Sequence, residues 1–286
     1  MRYVEHFDHF VVPVDDVVAA EEFYQAVLGC RIAISPRGTP MRIGLNVKQW
    51  KGGMLPHTFF DVAGRRIGVY LQTDERARAA SVWGAPTYSF VTDETGLSEV
   101  EAALLARRSP YAKPDAGETP MAARSVVFAD PAGNHFHVYI PRGGLRSRTG
   151  DGRLAGVGYI RLEAPDLARS VRFYENVFGL EVLERRRDER LGTMEAVMPL
   201  PGGQSVILAE TPFAFKGTRL SRLEPGPHLA FYVAPERWDP FIANLASRGV
   251  PHGDRAADLK DRRGQERDTY IDDPAGYVLQ IVSDAA

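Results

Sequence analysis

Cysteine is nearly absent: Cys30 is the only one in 286 residues. A lone cysteine excludes an internal disulfide and suits a reducing compartment. No run of about 18 apolar residues exists for a membrane-spanning helix. The opening Met1-Arg2-Tyr3-Val4-Glu5-His6 lacks the apolar core of an export signal, so a cytoplasmic protein is expected. An excess of either charge is also missing, since 35 Lys and Arg stand against 37 Asp and Glu, a formal net charge of −2. The basic pieces, Arg185 to Arg187 and Arg262-Arg263, are interleaved with acids and read as solvated surface. That pattern leaves no nucleic-acid footprint. What is present is ordinary for a globular protein, 44% hydrophobic and 25% charged, and long enough for two domains.

One phrase is written twice. Asp8-His9-Phe10-Val11-Val12-Pro13-Val14 runs through Asp15-Asp16 to Phe23-Tyr24-Gln25-Ala26-Val27-Leu28-Gly29. Gly158-Tyr159-Ile160-Arg161-Leu162 runs through Asp166 to Phe173-Tyr174-Glu175-Asn176-Val177-Phe178-Gly179. Phe23 and Phe173 lie 150 positions apart, as do His9 and Tyr159, so the register holds without a gap. Each copy is an apolar strand, an Asp-capped amphipathic helix and a glycine stop. In the first copy, alternation places Phe7, His9 and Val11 on one face and Phe10, Val12 and Val14 on the other.

Strand-like pieces follow around 41–47, 57–62 and 66–72, completing a βαβββ unit. A second unit opens at Pro86–Val91, continues through a helix over 97–108, and closes with a hairpin around Asp130-Pro131-Ala132-Gly133-Asn134. Pro fixes φ and Gly accepts a positive one, so Asp-Pro-x-Gly makes a tight turn. The Gly/Arg-rich stretch 141–154 reads as a linker. The third unit spans about 155–210. The fourth opens at His228–Val233, with a helix over 236–248, and repeats the hairpin turn at Asp273-Pro274-Ala275-Gly276.

Four βαβββ units, a strand His, FYxxVxG helix ends and DPxG hairpins resemble the vicinal oxygen chelate superfamily. That superfamily includes glyoxalase I, fosfomycin and bleomycin resistance proteins, and extradiol dioxygenases; length and layout are most similar to the last. The resemblance implies an α+β fold of tandem βαβββ modules forming two curled mixed-sheet half-barrel domains. Residues 1–143 and 155–286 would be those domains, joined by a linker over 144–154. It further implies a divalent metal (Fe, Mn, Zn or Ni) held by residues of each unit's first strand and of the strand after the DPxG turn.

At those positions the four units carry His9 and Tyr70, Thr87 and His137, Tyr159 and Ile207, and His228 and Gln280. An extradiol enzyme would show His, His and Glu in its second half, where Tyr159, His228 and Gln280 stand instead. Pairing unit one with unit four, as swapped glyoxalases do, would gather His9, His228 and Gln280, with Tyr70 opposite. The expected metal ligands are therefore His9 and His228 with Gln280, or His9 with His137. Tyr159, Tyr70 and His137 are the candidate acid–base groups, and Arg161 and Tyr232 the candidate substrate contacts. Arg161 has a competing reading, an ion pair with Glu163. His6, His57 and His252 fall outside the aligned positions and read as surface or turn residues. Segments 48–60 and 211–226 read equally as flaps or as plain loops.

Two functions follow. One is a metal-dependent dioxygenase, lyase or isomerase acting on a small aromatic or oxygen-rich molecule. The alternative is a metal-free protein that sequesters such a molecule, as bleomycin-resistance relatives do. The expected partner is a small molecule, without nucleic acid or membrane, and a homodimer is compatible with the resemblance.

Overall fold

The computed structural model describes all residues except 35–37, 39, 43–55, 73–80, 116–120, 146–151, 212–226, 254–265 and 285–286. Most of the 48–60 and 211–226 segments and of the 144–154 linker lie outside the described residues.

The first module is β1 (Val4–Val14), α1 (Val17–Phe23) running into a π-helical turn (Tyr24–Leu28), β2 (Arg31–Ile32), β3 (His57–Val62) and β4 (Arg65–Leu71). The second is β5 (Thr87–Val91), α2 (Glu94–Ala106), β6 (Tyr111–Ala112), β7 (Ala122–Ala129) and β8 (His135–Pro141). The third is β9 (Gly156–Ala164), α3 (Leu167–Phe178), β10 (Glu184–Asp188), β11 (Thr193–Pro199) and β12 (Ser205–Glu210). The fourth is β13 (His228–Val233), α4 (Pro235–Ser247), β14 (Glu266–Asp272) and β15 (Val278–Asp284). The fold is α+β.

The strands form two mixed sheets. One has the order β14-β15-β13-β1-β4-β3-β2, and the other β10-β11-β12-β9-β5-β8-β7-β6. Strands of modules one and four thus share a sheet, as do strands of modules two and three. Packing divides the chain into one unit of 1–10, 162–187 and 193–286, and a second of 11–161 and 188–192. The expected segments 1–143 and 155–286 follow the repeats in the chain, whereas these units follow packing, and β1 and β9 each run from one into the other.

Local sequence explains the helices. Asp16, Asp93 and Asp166 each turn a carboxylate onto backbone N–H groups of the following first turn, at 2.8–3.0 Å. These acceptors satisfy donors that a helix start leaves open. Gly29 and Gly179 end α1's π turn and α3 in the left-handed region, with φ of 67° and 69°. At Gly179 a side chain would also collide with the Met1 carbonyl.

In the first unit, Phe178 of α3 packs on Phe231 of β13 at 5.1 Å, and Phe7 meets the same ring at 5.1 Å. The second unit buries Tyr24, Phe60, Phe90, Phe128 and Phe136 in one aromatic cluster. Burying a side chain of this size contributes roughly 1.5–3 kcal/mol.

The two DPxG turns share a device that joins each to its own unit's helix. Tyr24 donates its hydroxyl to Asp130 at 3.0 Å, and Tyr174 donates to Asp273 at 3.2 Å. Each Asp also accepts backbone N–H bonds across its own turn. The tyrosine of each FYxxVxG segment therefore anchors a hairpin.

Burial pushes the Asp130 and Asp273 carboxyls up to about 6. A carboxyl with a raised folded-state pKa adds stability below its unfolded value near 3.9, and loses that contribution as pH rises through about 6. Asp273→Asn carries no such titration. The variant is predicted to gain on the wild type by up to about 3 kcal/mol between pH 4 and 7, read from urea midpoints. A difference independent of pH would contradict this account.

Candidate functional site

In the first unit, four neighbouring strands bring polar groups onto one face. β1 carries His9, and β13 carries His228. The parallel pairing of Ala230 with Gln280 sets β15 beside β13, and the antiparallel pairing of Tyr270 with Gln280 sets β14 beside β15. Directly paired residues share a face, as do residues two apart. His228, Gln280, Tyr270 and Asp268 therefore all lie on one side, and the 5.9 Å edge contact between His228 and Tyr270 is consistent with this.

At the centre, His9 Nε2 lies 3.0 Å from His228 Nε2. The Asp8 carboxylate is 2.6 Å from His9 Nδ1. A carboxylate can only accept, so His9 Nδ1 carries a proton, and in the neutral ring Nε2 presents a lone pair. The facing His228 nitrogen either donates a proton to it or presents a second lone pair to a shared cation. Two nitrogens about 2.1 Å from one ion, at a right angle, lie about 3.0 Å apart. The separation and the donor types thus fit a divalent metal. A carboxylate behind an imidazole ligand is the usual outer support of such sites. Gln280 donates its Nε2 to Asp268 Oδ2 at 2.9 Å. Among the described residues no three His, Cys, Asp or Glu side chains gather as a metal cluster.

Farther along β13, Tyr232 donates to Asp284 at 2.8 Å and stacks on His6 at 4.8 Å. His6 is therefore a half-buried strand residue on the His228 face and not a turn residue. Phe7 packs against Phe231, whereas His9 meets His228, three positions away and on the opposite face of a regular strand. This corrects the alternation that put Phe7 with His9. Strict alternation does not hold through the half-buried Asp8-His9 segment.

The second unit holds the other candidates. His137 Nδ1 is 2.6 Å from the Tyr159 hydroxyl, and its ring lies on Tyr139 at 5.1 Å. His137 Nε2 is buried with no hydrogen-bond partner among the described residues. Burial pushes its imidazole down to about 3. Ser89 sits opposite His137 where the β5–β9 register shifts. Its hydroxyl accepts from the Tyr159 N–H at 2.5 Å and donates to the Tyr159 carbonyl at 2.8 Å, filling the break in the ladder.

Thr87 donates to the Gly84 carbonyl at 2.5 Å. Arg161 pairs with Asp188 at 2.9 Å, a partner the sequence did not suggest. Glu163, the expected partner, has its carboxyl pushed up to about 7 by burial. Tyr70 stacks on His57 at 4.7 Å and 9°. His57 is a buried strand residue and not a turn residue, because β3 begins at it.

His9 and His228 thus come together, with Gln280 two strands from β1 on the same face. His137 and Tyr159 form a separate pair in the other unit. Tyr270 and Asp268 were missed; only the pairing of β14 with β15 reveals them.

The sequence profile of the Glyoxalase/Bleomycin resistance protein/Dioxygenase superfamily matches twice, over residues 6–138 and 156–281. The chain belongs to that superfamily. Among solved structures, a Bacillus subtilis protein described as a candidate dioxygenase superposes with a TM-score of 0.68 at 17% identity, covering 100% of this chain and 87% of that one. Glyoxalase I from Zea mays gives 0.61 at 13% identity, covering 98% and 92%. These likenesses establish the fold of this superfamily member. No described helix is long and apolar enough to cross a membrane.

With its folded pKa near 3, the His137 ring stays neutral across the physiological range. Its Cε1 resonance is predicted to hold still between pH 8 and 5 in a titration followed by NMR, and a midpoint inside that interval would contradict the burial.

Proposed function

We propose that this protein is a metal-dependent enzyme of dioxygenase or lyase/isomerase type, acting on a small molecule that presents two adjacent oxygens. The single observation that carries this reading is the 3.0 Å approach of the His9 and His228 nitrogens, with Asp8 fixing the His9 tautomer. His9 and His228 would hold the ion, and the Gln280 amide oxygen is the next donor on the same face. Fe, Mn, Zn and Ni all suit imidazole donors. A divalent ion at this place would serve as a Lewis acid toward vicinal oxygens.

The remaining work falls to side chains. Tyr270 packs its edge on His228 and limits that ring's rotation. Tyr232, braced by Asp284, is the proposed substrate contact on this face. Tyr159 and His137 are the proposed acid–base pair of the second unit, supported by their 2.6 Å bond. With so low a pKa, the ring's part in that pair is to hold the phenol by a hydrogen bond, and the proton transfer falls to Tyr159. Tyr70 keeps a proposed acid–base role and Arg161 a proposed anion-binding role. A reducing cytoplasm, suited to the buried free Cys30, would preserve a ferrous or manganous centre.

A second reading has its own support. No third His, Cys, Asp or Glu joins the imidazole pair among the described residues. That favours a metal-free protein that sequesters its ligand.

The two are separated by metal analysis of protein purified without chelator, beside His9→Ala and His228→Ala. The enzyme reading predicts bound metal in the wild type and near-complete loss in both variants alike, with turnover of catechols to the yellow ring-opened product as one activity to test. Unchanged metal in either variant would sink the assignment. Absence of metal together with ligand-induced thermal stabilisation would support sequestration.

A further inference from the structure

Gln280 poses a problem that its own chemistry cannot solve. A carboxamide has one oxygen, which can approach a cation, and one NH2 group, which cannot. Rotating the amide by half a turn exchanges them. An unrestrained Gln280 would present the wrong end to a cation for part of the time and would supply no negative charge.

Asp268 removes the ambiguity. It stands on β14, two residues before Tyr270, the direct partner of Gln280, and so is a diagonal neighbour on the same face. On the opposite side of β15, the pairing of Ala230 with Gln280 makes His228 the corresponding diagonal neighbour. Across β14, β15, β13 and β1 the order is Asp268, Gln280, His228, His9. The Gln280 Nε2 is 2.9 Å from Asp268 Oδ2. Because a carboxylate only accepts, the NH2 group is drawn to the Asp268 side and the oxygen is left for the histidine side.

We infer that Asp268 is a positioning residue that orients the Gln280 amide toward the His9–His228 pair and supplies, one residue removed, the negative charge that Gln280 lacks. The inference rests on the metal-centre reading proposed above. Asp268 itself is exposed, so its replacement leaves the core intact.

The test is the dissociation constant for Mn(II) and Zn(II), measured by competition with a chromophoric chelator, with no turnover involved. Asp268→Asn is expected to weaken binding about 10- to 100-fold, the usual cost of losing an outer-shell partner. The melting temperature of the metal-free protein should stay the same. The double variant Asp268→Asn, Gln280→Glu moves the carboxylate to position 280 and should restore the wild-type affinity or better, which a damaged fold could not do. If the wild type binds metal and Asp268→Asn binds it equally well, the role of Asp268 is overturned and the metal centre stands. Failure of the double variant to recover also overturns it. If the wild type takes up neither ion, both proposals fall together.

Discussion

Two imidazole nitrogens held 3.0 Å apart cannot both offer lone pairs to each other without cost. Something positive has to lie between them, either a proton or a cation. Asp8, 2.6 Å behind His9, narrows the choice by taking the other His9 nitrogen as a donor. The two residues are 219 positions apart in the chain, so the juxtaposition is set by strand pairing. Strand pairing is in turn only as firm as the cores that hold β1 and β13. Phe7 and Phe178 both packing on Phe231 ties this pair of strands to α3.

The scaffold repeats one solution in each unit. A tyrosine near the end of the first helix reaches a buried Asp at a DPxG turn, Tyr24 to Asp130 and Tyr174 to Asp273. The Asp also organises its own turn, so each bond fixes a helix and a hairpin together. The repeat therefore extends from letters to hydrogen bonds. The polar faces do not repeat in this way. His9 and His228 meet each other, whereas His137 meets a tyrosine hydroxyl and is buried neutral. One scaffold has kept two chemically different polar clusters.

The parts of the fold governed by local rules were legible. Helix caps at Asp16 and Asp166, glycine stops at 29 and 179, and both hairpin turns follow from short-range stereochemistry, and all are present. The sharing of a sheet by modules one and four was visible only as one arrangement among three, because register between distant strands leaves no local trace. The polar surroundings were harder still. Asp268 stands on β14, and its role depends on which β15 residue it faces. Asp188 holds Arg161 from the end of β10, a strand that no spacing rule connects to β9. The irregularity near Asp8 defeated simple alternation and misplaced Phe7. His57, which reads as a surface or turn residue, is buried at the start of β3 with its ring stacked on Tyr70.

The most direct test of the His9–His228 pairing is a count of the nitrogens around a bound ion. Electron spin-echo spectroscopy of the protein loaded with one equivalent of Cu(II) registers the remote nitrogen of each coordinated imidazole. The account predicts modulation from two imidazoles in the wild type. A spectrum showing one imidazole or none would contradict it.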